Sequence, residues 1–143
     1  MTLYVYTDGA SRGNPGESAS GYCILDGSKK LVLKEIFYNG VCTNNVAEYR
    51  AVIAALKRVL GEWGADTELV LHSDSQVVVR QLGGYYKVRE PTLKKLNAEA
   101  NKLLRKLKNH RILSVKRENR YVSLVDRELN LFLDRKAHGQ EKL

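Results

Sequence analysis

The stretch Leu3-Tyr-Val-Tyr-Thr-Asp-Gly9 is the part of the sequence that decides the fold. Its first residues are aliphatic, aromatic or β-branched, which favours a strand over Leu3–Thr7, and Asp8-Gly9 is a turn signal that ends the strand. The glycines and Asn14-Pro15 that follow, up to Gly16, favour a loop over a further element. We therefore expect a first strand that carries an acidic residue at its end.

Two more strands are predicted next, over Gly21–Leu25 and Leu31–Tyr38, joined across Asp26-Gly27-Ser28 by a tight hairpin turn. Of the two cysteines of the chain, Cys23 lies on the first of these strands, and Cys42 follows the second, four residues after Tyr38. In the expected register Cys42 is about nine residues, or about 30 Å, from the residue opposite Cys23, at about 3.3 Å per residue. A disulfide between the two thiols is excluded by this distance.

Apolar residues then recur at intervals of three and four, which predicts an amphipathic helix. Asn44 or Asn45 is expected to cap the helix, and Gly61 or Gly64 to end it. The helix-spaced apolar residues are Tyr49, Val52, Leu56, Val59 and Trp63.

The remaining elements alternate between strands and helices. Pro91 is expected to open a long helix with an apolar face and a lysine-rich face. The predicted elements are a strand over Glu68–His72, a helix from Ser73-Asp74-Ser75 through Leu82, the helix from Pro91, a strand over Ile112–Lys116 and a helix over Ser123–Ala137.

The order of elements indicates an α/β fold with a mixed five-stranded sheet flanked by helices. Three strands come first and pair antiparallel, and the last two enter through helical crossovers and are therefore parallel additions. The pattern shows no repeat and no linker, so we expect a single domain over residues 1–137 and a polar tail over residues 138–143.

Composition excludes several classes of protein. The chain has 143 residues, 43% of them hydrophobic and 28% charged, which is ordinary for a folded domain and not for a disordered one. The longest apolar run, Ala51–Leu56, is far shorter than a membrane span of about 20 residues. The start of the chain reads as a strand and not as a secretory signal. We expect a monomeric protein of the cytoplasm that does not bind membranes.

The net charge of +8 is concentrated in one segment. The segment from Tyr85 to Arg111 contains nine Lys and Arg residues and only two acidic residues, Glu90 and Glu99. Such a run is usually a solvated helix face, but an excess of this size on one side also favours a polyanionic partner, and nucleic acid before a membrane.

Three acidic residues lie at the ends of predicted elements. Each has a local explanation: Asp8 as an Asx turn, Glu48 as the capping-box partner of Asn45, and Asp74 as a helix cap. If the first and fourth strands are neighbours, however, the three carboxylates converge and repel one another unless cations hold them. Oxygen ligands of this kind suit Mg²⁺.

Three blocks of sequence resemble the signature blocks of type 1 ribonuclease H, in the family's order and spacing, over residues 3 to about 133. The resemblance implies a ribonuclease H-like fold, in a compact form without a separate basic protrusion. It also implies hydrolysis of the RNA strand of RNA–DNA hybrids by two Mg²⁺ ions, with Mn²⁺ able to substitute, leaving 5′-phosphate and 3′-hydroxyl ends. The blocks are Tyr6-Thr-Asp-Gly-Ala-Ser-Arg-Gly-Asn-Pro-Gly16, Thr43-Asn-Asn-Val-Ala-Glu-Tyr49 and Ser73-Asp-Ser-Gln76.

The resemblance also implies a fourth carboxylate near the start of the last helix. Asp126 is the preferred residue, in the first turn of that helix, because Asn130 falls where the family has a helix residue. Asn119 and Asp126 are seven residues apart, more than the family's pattern has, so Glu118 and Asp134 remain rivals. A solvated helix acid is the alternative for Asp126.

Many family members also have a histidine in the loop before the fourth carboxylate, and residues 116–126 contain none. We expect His72 and His110 to be structural. His138, in the tail, is the one histidine with the freedom to reach over the site, and we do not expect it to do so.

The family's substrate contacts match several polar residues. Amides that donate and accept at once can sense a ribose 2′-hydroxyl, although the two asparagines near the helix start are also simple helix caps. Thr43 matches a pocket for a DNA phosphate at the helix N-terminus. The expected amide contacts are Asn14, Asn44, Asn45 and Gln76, and the expected basic contacts are Lys94, Lys95 and Lys102.

Two other interpretations stay open. The chain is a hybrid-binding or duplex-binding module of the same fold without catalysis, or it is the ribonuclease H domain of a retroelement. The acidic cluster disfavours a pure binding module, because such a module gains nothing from carboxylates that repel one another. The position of Met1 directly before the first strand favours a free-standing enzyme over a retroelement domain.

Overall fold

The computed structural model describes residues 1–141, so the last two residues of the predicted tail lie outside the described part. Its elements in chain order are β1 (Thr2–Gly13), β2 (Gly16–Leu25), β3 (Leu31–Cys42), α1 (Asn44–Glu62), β4 (Glu68–Ser73), α2 (Gln76–Leu82), α3 (Pro91–Leu104), β5 (Asn109–Ser114) and α4 (Arg120–Glu141).

The sheet has the strand order β3-β2-β1-β4-β5. β1 pairs antiparallel with β2, and β2 with β3. The pairs β1–β4 and β4–β5 are parallel, as crossovers through helices require. The predicted mixed five-stranded sheet is confirmed, with β1 and β4 as direct neighbours.

The predicted loop between Gly9 and Gly16 is wrong. β1 continues to Gly13 and β2 begins at Gly16, and the pairing is continuous to the tip of the hairpin, where Gly13 lies opposite Gly16. Only Asn14-Pro15 forms the turn, beside Gly13 in a left-handed conformation with φ of 114°. The glycine at position 9 is a packing residue within the strand and not a loop signal.

The two faces of the sheet carry two separate cores. Leu3 and Val5 of β1 point to a large core shared with α1, α2 and α3. Tyr6 and Ala10 of the same strand point to a smaller core against α4. The alternation follows from the two-residue period of a strand, and it places α1 and α4 on opposite faces of β1.

The helix ends correct several expectations. Thr43, and not Asn44 or Asn45, caps α1, because its hydroxyl accepts a hydrogen bond from the Val46 amide. Ser75 caps α2 in the same way, which leaves Asp74 outside the cap. Asn119 caps α4 by accepting from the amides of the first turn.

α4 therefore starts three residues before the predicted helix and continues through the first part of the predicted tail, to Glu141. β5 likewise begins earlier than predicted, at Asn109. Cys23 and Cys42 are free thiols, as expected. Among the helices of residues 1–141, none has the length and hydropathy needed to span a membrane.

Candidate active site

Asp8 and Asp74 lie side by side at one edge of the sheet. The parallel pairing of β1 with β4 ends at the pair Thr7 and Ser73. Asp8 directly follows Thr7 in the chain, and Asp74 directly follows Ser73. Asp8 is 5% exposed and Asp74 is half-buried. The convergence predicted from the strand order is present in the structure.

Glu48 reaches this edge from the helix on one face of the sheet. It is the fifth residue of α1 and not the partner in a capping box; its carboxylate accepts hydrogen bonds from the Gly9 amide at 2.7 Å and from the Ser73 hydroxyl at 3.3 Å. A Cβ on Gly9 would lie 2.4 Å from the backbone carbon of Ala47. Glycine at position 9 therefore allows α1 to approach β1 closely enough for Glu48 to join the site.

The three carboxylates form a group with the geometry of a cation site. One ligand oxygen each from Asp8, Glu48 and Asp74 can be chosen so that all lie within 4.8 Å of one another. An all-oxygen, acidic donor set suits hard divalent cations such as Mg²⁺. The residues present therefore fit the metal that the sequence led us to expect.

Burial and mutual repulsion dominate the electrostatics of this group. Burial raises the pKa of Asp8, and the nearby Glu48 raises it further. Burial also raises the pKa of Glu48, although hydrogen bonds from Gly9 and Ser73 oppose that rise. The pKa of Asp74 is raised by burial and lowered by the charge of Arg117. Without a cation, the buried pair favours a bound proton.

Asp126 faces the same cleft from α4. The cleft has a volume of about 440 Å³, and all four acids line it. The negative charge of Asp126 contributes to the raised pKa of both Asp8 and Asp74. Because α4 begins at Arg120, Asp126 is in the second turn of the helix and not in the predicted first turn.

The seven-residue gap after Asn119 has a simple cause. The gap is about two helical turns at 3.6 residues per turn, so the helix cap and Asp126 lie on the same side of α4. Of the two rivals, Asp134 is held by Arg12 in an ion pair of 2.8 Å. The described residues that line the cleft do not include Glu118 or Asp134. The choice of Asp126 as fourth carboxylate remains a prediction.

Arg117 is a cleft residue that the sequence analysis missed. It lies in the loop before α4, it lines the acidic cleft, and its charge lowers the pKa of Asp74. Residues 116–126 contain no histidine, but Arg117 likewise places a cationic side chain in the loop just ahead of the last helix.

The expected substrate residues fall into two groups. Asn14 and Asn44 hold the hairpin against α1: Asn44 accepts from the Ser11 amide at 2.8 Å, and Asn14 accepts from the Asn44 amide at 3.1 Å. Asn44 and Asn45 line the cleft, and Thr43 lies beside them as the cap of α1. The second group lies outside the lining of the cleft and is exposed: Gln76 on α2 and Lys94, Lys95 and Lys102 on α3.

Two of the histidines have places outside the cleft. His72 is buried on β4, stacks on the Tyr6 ring at 4.1 Å between centroids, and hydrogen-bonds the Val5 carbonyl through Nδ1. Burial lowers its pKa, which suits a neutral structural histidine. His110 lies on β5 beside a groove lined by Tyr85 and Tyr86.

A mixed sheet whose parallel strands end in a cluster of acids is the architecture of the ribonuclease H-like class of α/β domains. The sequence profile of the RNase H family matches residues 1–124. The chain belongs to the RNase H family, and its resemblance to the type 1 enzymes is confirmed by relatives and solved structures.

A Ribonuclease HI of Halobacterium salinarum is 40% identical over 102 residues, which is 71% of this chain and 50% of that protein. The crystal structure of RNase H1 from the same archaeon superposes with a TM-score of 0.87 and 36% identity, over 94% of this chain and 98% of that one. LC11-RNase H1, isolated from compost and solved in complex with RNA/DNA hybrid, gives a TM-score of 0.81 and 36% identity, over 92% of this chain and 99% of that one.

The matches cover only part of the length of the curated relatives. This chain spans half of the Halobacterium protein and 28% of a Mycobacterium bovis relative that is 41% identical over 104 residues. The part of this chain that the family profile matches contains Asp8, Glu48 and Asp74 and ends before Asp126.

Proposed function

We propose that this protein hydrolyses the RNA strand of RNA–DNA hybrids and leaves 5′-phosphate and 3′-hydroxyl ends. The observation that carries the proposal is the convergence of Asp8, Glu48 and Asp74 within 4.8 Å, in a member of the RNase H family. The likeness to LC11-RNase H1, a protein solved with an RNA/DNA hybrid, supports the choice of substrate.

The proposed cofactor is a pair of Mg²⁺ ions, with Mn²⁺ as a substitute. When bound, two divalent ions lower the pKa of a water molecule and stabilise the leaving 3′ oxygen. Asp8 would be the ligand that both ions share, because it lies on the central strand β1 of the sheet and, besides burial, the charges of Glu48, Asp74 and Asp126 raise its pKa. Asp74 would complete the shell of one ion, and Glu48 with Asp126 that of the other.

The protein's own side chains prepare this site before any cation arrives. The Gly9 amide and the Ser73 hydroxyl fix the carboxylate of Glu48 beside that of Asp8, so little reorganisation is needed on binding. Because burial raises the pKa of both Asp8 and Glu48, cation binding must displace the proton that this pair favours. Arg117 supplies a positive charge to the cleft, where it can contact a phosphate of the substrate.

Substrate choice is proposed to depend on polar contacts at the α1 end of the cleft. Asn14, Asn44, Asn45 and Gln76 would read the ribose 2′-hydroxyl, and Thr43 would hold a DNA phosphate near the N-terminus of α1. Lys94, Lys95 and Lys102 would contact phosphates from α3. One chain supplies all four carboxylates, so we propose that a monomer is active. The cytoplasmic location stays a prediction.

A cleavage assay on matched duplexes tests this function. A labelled RNA–DNA hybrid, an RNA duplex and a DNA duplex of one sequence are incubated with Mg²⁺ or with EDTA. We expect cleavage of the RNA strand of the hybrid with Mg²⁺ alone, and product RNA that a ligase requiring a 5′-phosphate can join. Hybrid that is bound but left intact would instead favour the non-catalytic binding module. A retroelement-derived domain would share the chemistry.

A further inference from the structure

Arg12 connects the tip of the β1–β2 hairpin to the last helix. One guanidinium nitrogen, Nη2, donates to the backbone carbonyl of Asn130 at 3.0 Å and to the side-chain oxygen of Asn130 at 3.2 Å. The other, Nη1, pairs with Asp134 at 2.8 Å. Arg12 lies four residues after Asp8 on the same strand, so this contact joins the strand of one cleft acid to the helix of another.

Asn130 continues the chain of hydrogen bonds to Asp126. Its NH₂ group donates to the Asp126 carbonyl at 2.9 Å and lies 3.4 Å from the Asp126 carboxylate. A guanidinium can only donate and a carboxylate can only accept. With Arg12 on one side and Asp126 on the other, the amide of Asn130 can satisfy both partners in one orientation only.

We propose that Arg12 and Asn130 are positioning residues for Asp126. Arg12 fixes the amide of Asn130, and Asn130 holds the Asp126 carboxylate toward the cleft it shares with Asp8. The same guanidinium holds Asp134 outside the cleft, which separates the roles of two acids on one helix. The inference rests on the proposed function, because Asp126 matters to catalysis only if the cleft binds cations.

A purely structural role explains the contacts less well. The side chains of Arg12 and Asp134 are 40% and 53% exposed, and exposed ion pairs of this kind contribute little to stability. The α4 helix has a buried apolar anchor of its own in Val125, Leu129 and Leu133. The main effect of the two Arg12 hydrogen bonds to Asn130 is therefore to orient the Asn130 amide. A second ion pair on the same helix does not contact this amide.

That second ion pair supplies a matched control. Lys34 of β3 pairs with Glu128 of α4 at 3.0 Å, again between a strand and the last helix, and both residues lie outside the cleft lining. The variants are Arg12→Ala, Asn130→Ala, their double variant, and Lys34→Ala. Each is measured by calorimetric titration with Mn²⁺ without substrate, by kcat and KM on the hybrid, and by Tm in EDTA.

We expect Arg12→Ala and Asn130→Ala each to lower Mn²⁺ affinity and kcat by about 10- to 100-fold, the usual effect of losing a group that orients a metal ligand. KM for the hybrid and Tm in EDTA should stay near the wild-type values. The double variant should lose no more than either single variant, because both act through one carboxylate. Lys34→Ala should match the wild type in all measurements.

An Arg12→Ala protein with wild-type Mn²⁺ affinity would overturn the inference. So would a Lys34→Ala protein that loses as much Tm and kcat as Arg12→Ala does. Failure of the proposed function would look different. In that case the wild type leaves the hybrid intact, while the titration without substrate still decides whether Arg12 and Asn130 act on the cation site.

Discussion

At the scale of single residues, Asp8 combines burial with a close acidic neighbour. The residue is 5% exposed, the carboxylate of Glu48 lies against its own, and both burial and this neighbour raise the pKa of Asp8. A group that binds its proton more tightly in the folded chain than in the unfolded chain makes stability depend on pH.

Asp8→Asn should stabilise the metal-free protein at neutral and alkaline pH. An unfolded aspartate titrates at about pH 4, whereas folded Asp8 keeps its proton to higher pH. The free energy of unfolding of the wild type therefore falls as pH rises above about 4, and the variant is spared that loss. Melting curves in EDTA should show Tm of the variant above wild type at pH 8 and equal to it near pH 4. Saturating Mg²⁺ should remove or reverse the difference.

The same substitution should abolish cleavage while hybrid binding is retained or becomes tighter. Asp8→Asn removes a proposed cation ligand and also a negative charge that repels phosphate. Turnover at saturating Mg²⁺ and binding in Ca²⁺ or EDTA separate the two effects. Measurable turnover by the variant at saturating Mg²⁺ would contradict the assignment of Asp8 as a bridging ligand.

The sequence predicted the positions of some site residues and not of others. Asp8 and Asp74 were predictable because they directly follow strands that the element order makes neighbours. Glu48 was identified as an acid of the site, but its contacts with Gly9 and Ser73 depend on how closely a helix packs on a strand. Arg117 lies in an irregular loop, where no periodicity shows which way a side chain points.

At the scale of elements, two glycines allow helices to approach β1 and β2 from opposite faces. A Cβ on Gly9 would meet the backbone of α1 at Ala47, 2.4 Å away. A Cβ on Gly21, which pairs with Asp8, would lie 2.4 Å from the Ile36 side chain and 3.1 Å from that of Val125 on α4. The close packing of α1 and α4, the two helices that carry site acids, therefore depends on glycines in the sheet.

Gly9→Ala should be strongly destabilising. The new methyl group would meet backbone atoms, which cannot move aside as a side chain can, so we expect a loss of about 3 kcal/mol or more. Gly61→Ala is the matched control: Gly61 lies within α1 with nothing near its Cβ position, and alanine there should stabilise the helix by about 0.5–1 kcal/mol. Urea denaturation of both variants is the measurement. A Gly9→Ala protein of wild-type stability would disprove the close packing.

The start of α4 decides which acid joins the cleft. Asn119 caps the helix, so α4 begins at Arg120, three residues before the start predicted at Ser123. Because the helix begins at Arg120, Asp126 lies two turns after the cap. Asp134 lies further along the helix than Asp126 and pairs with Arg12.

Asp126→Asn should lower kcat by at least about 100-fold, because even the loss of a group that only orients a ligand costs about 10- to 100-fold. Partial recovery with Mn²⁺ and an unchanged Tm would fit the loss of one metal ligand. Glu118→Gln should stay near wild type, and Asp134→Asn should lose far less than Asp126→Asn. An inactive Glu118→Gln beside an active Asp126→Asn would show that the loop has moved the fourth acid.

At the scale of the whole molecule, the topology was the most predictable feature. Three strands followed by strands alternating with helices allow few arrangements, because crossovers between parallel strands need helices. The length of the β1–β2 hairpin was not predictable in the same way: Gly9, Gly13 and Gly16 look alike in sequence, but only Gly13 is in a left-handed conformation at the turn, and Gly9 is a packing residue.

The distribution of charge gives the prediction that concerns the molecule as a whole. Lys94, Lys95 and Lys102 are exposed on α3, which packs on the outer side of α1, the helix whose N-terminal end lies beside the cleft. If these lysines contact phosphates, hybrid binding must release counterions, and log Kd should change with log salt concentration by about one per phosphate neutralised.

Reversal of all three lysines to glutamate should weaken hybrid binding and reduce the salt slope by about three. The control reverses Lys29, Lys30 and Arg120, which are exposed at the β2–β3 turn and at the start of α4. Both triple variants change the net charge equally, so a long-range effect of charge alone would weaken binding to the same degree in both. A slope reduced only in the α3 variant would place phosphate contacts on that helix. An unchanged slope and affinity in the α3 variant would mean that its lysines form a solvated surface.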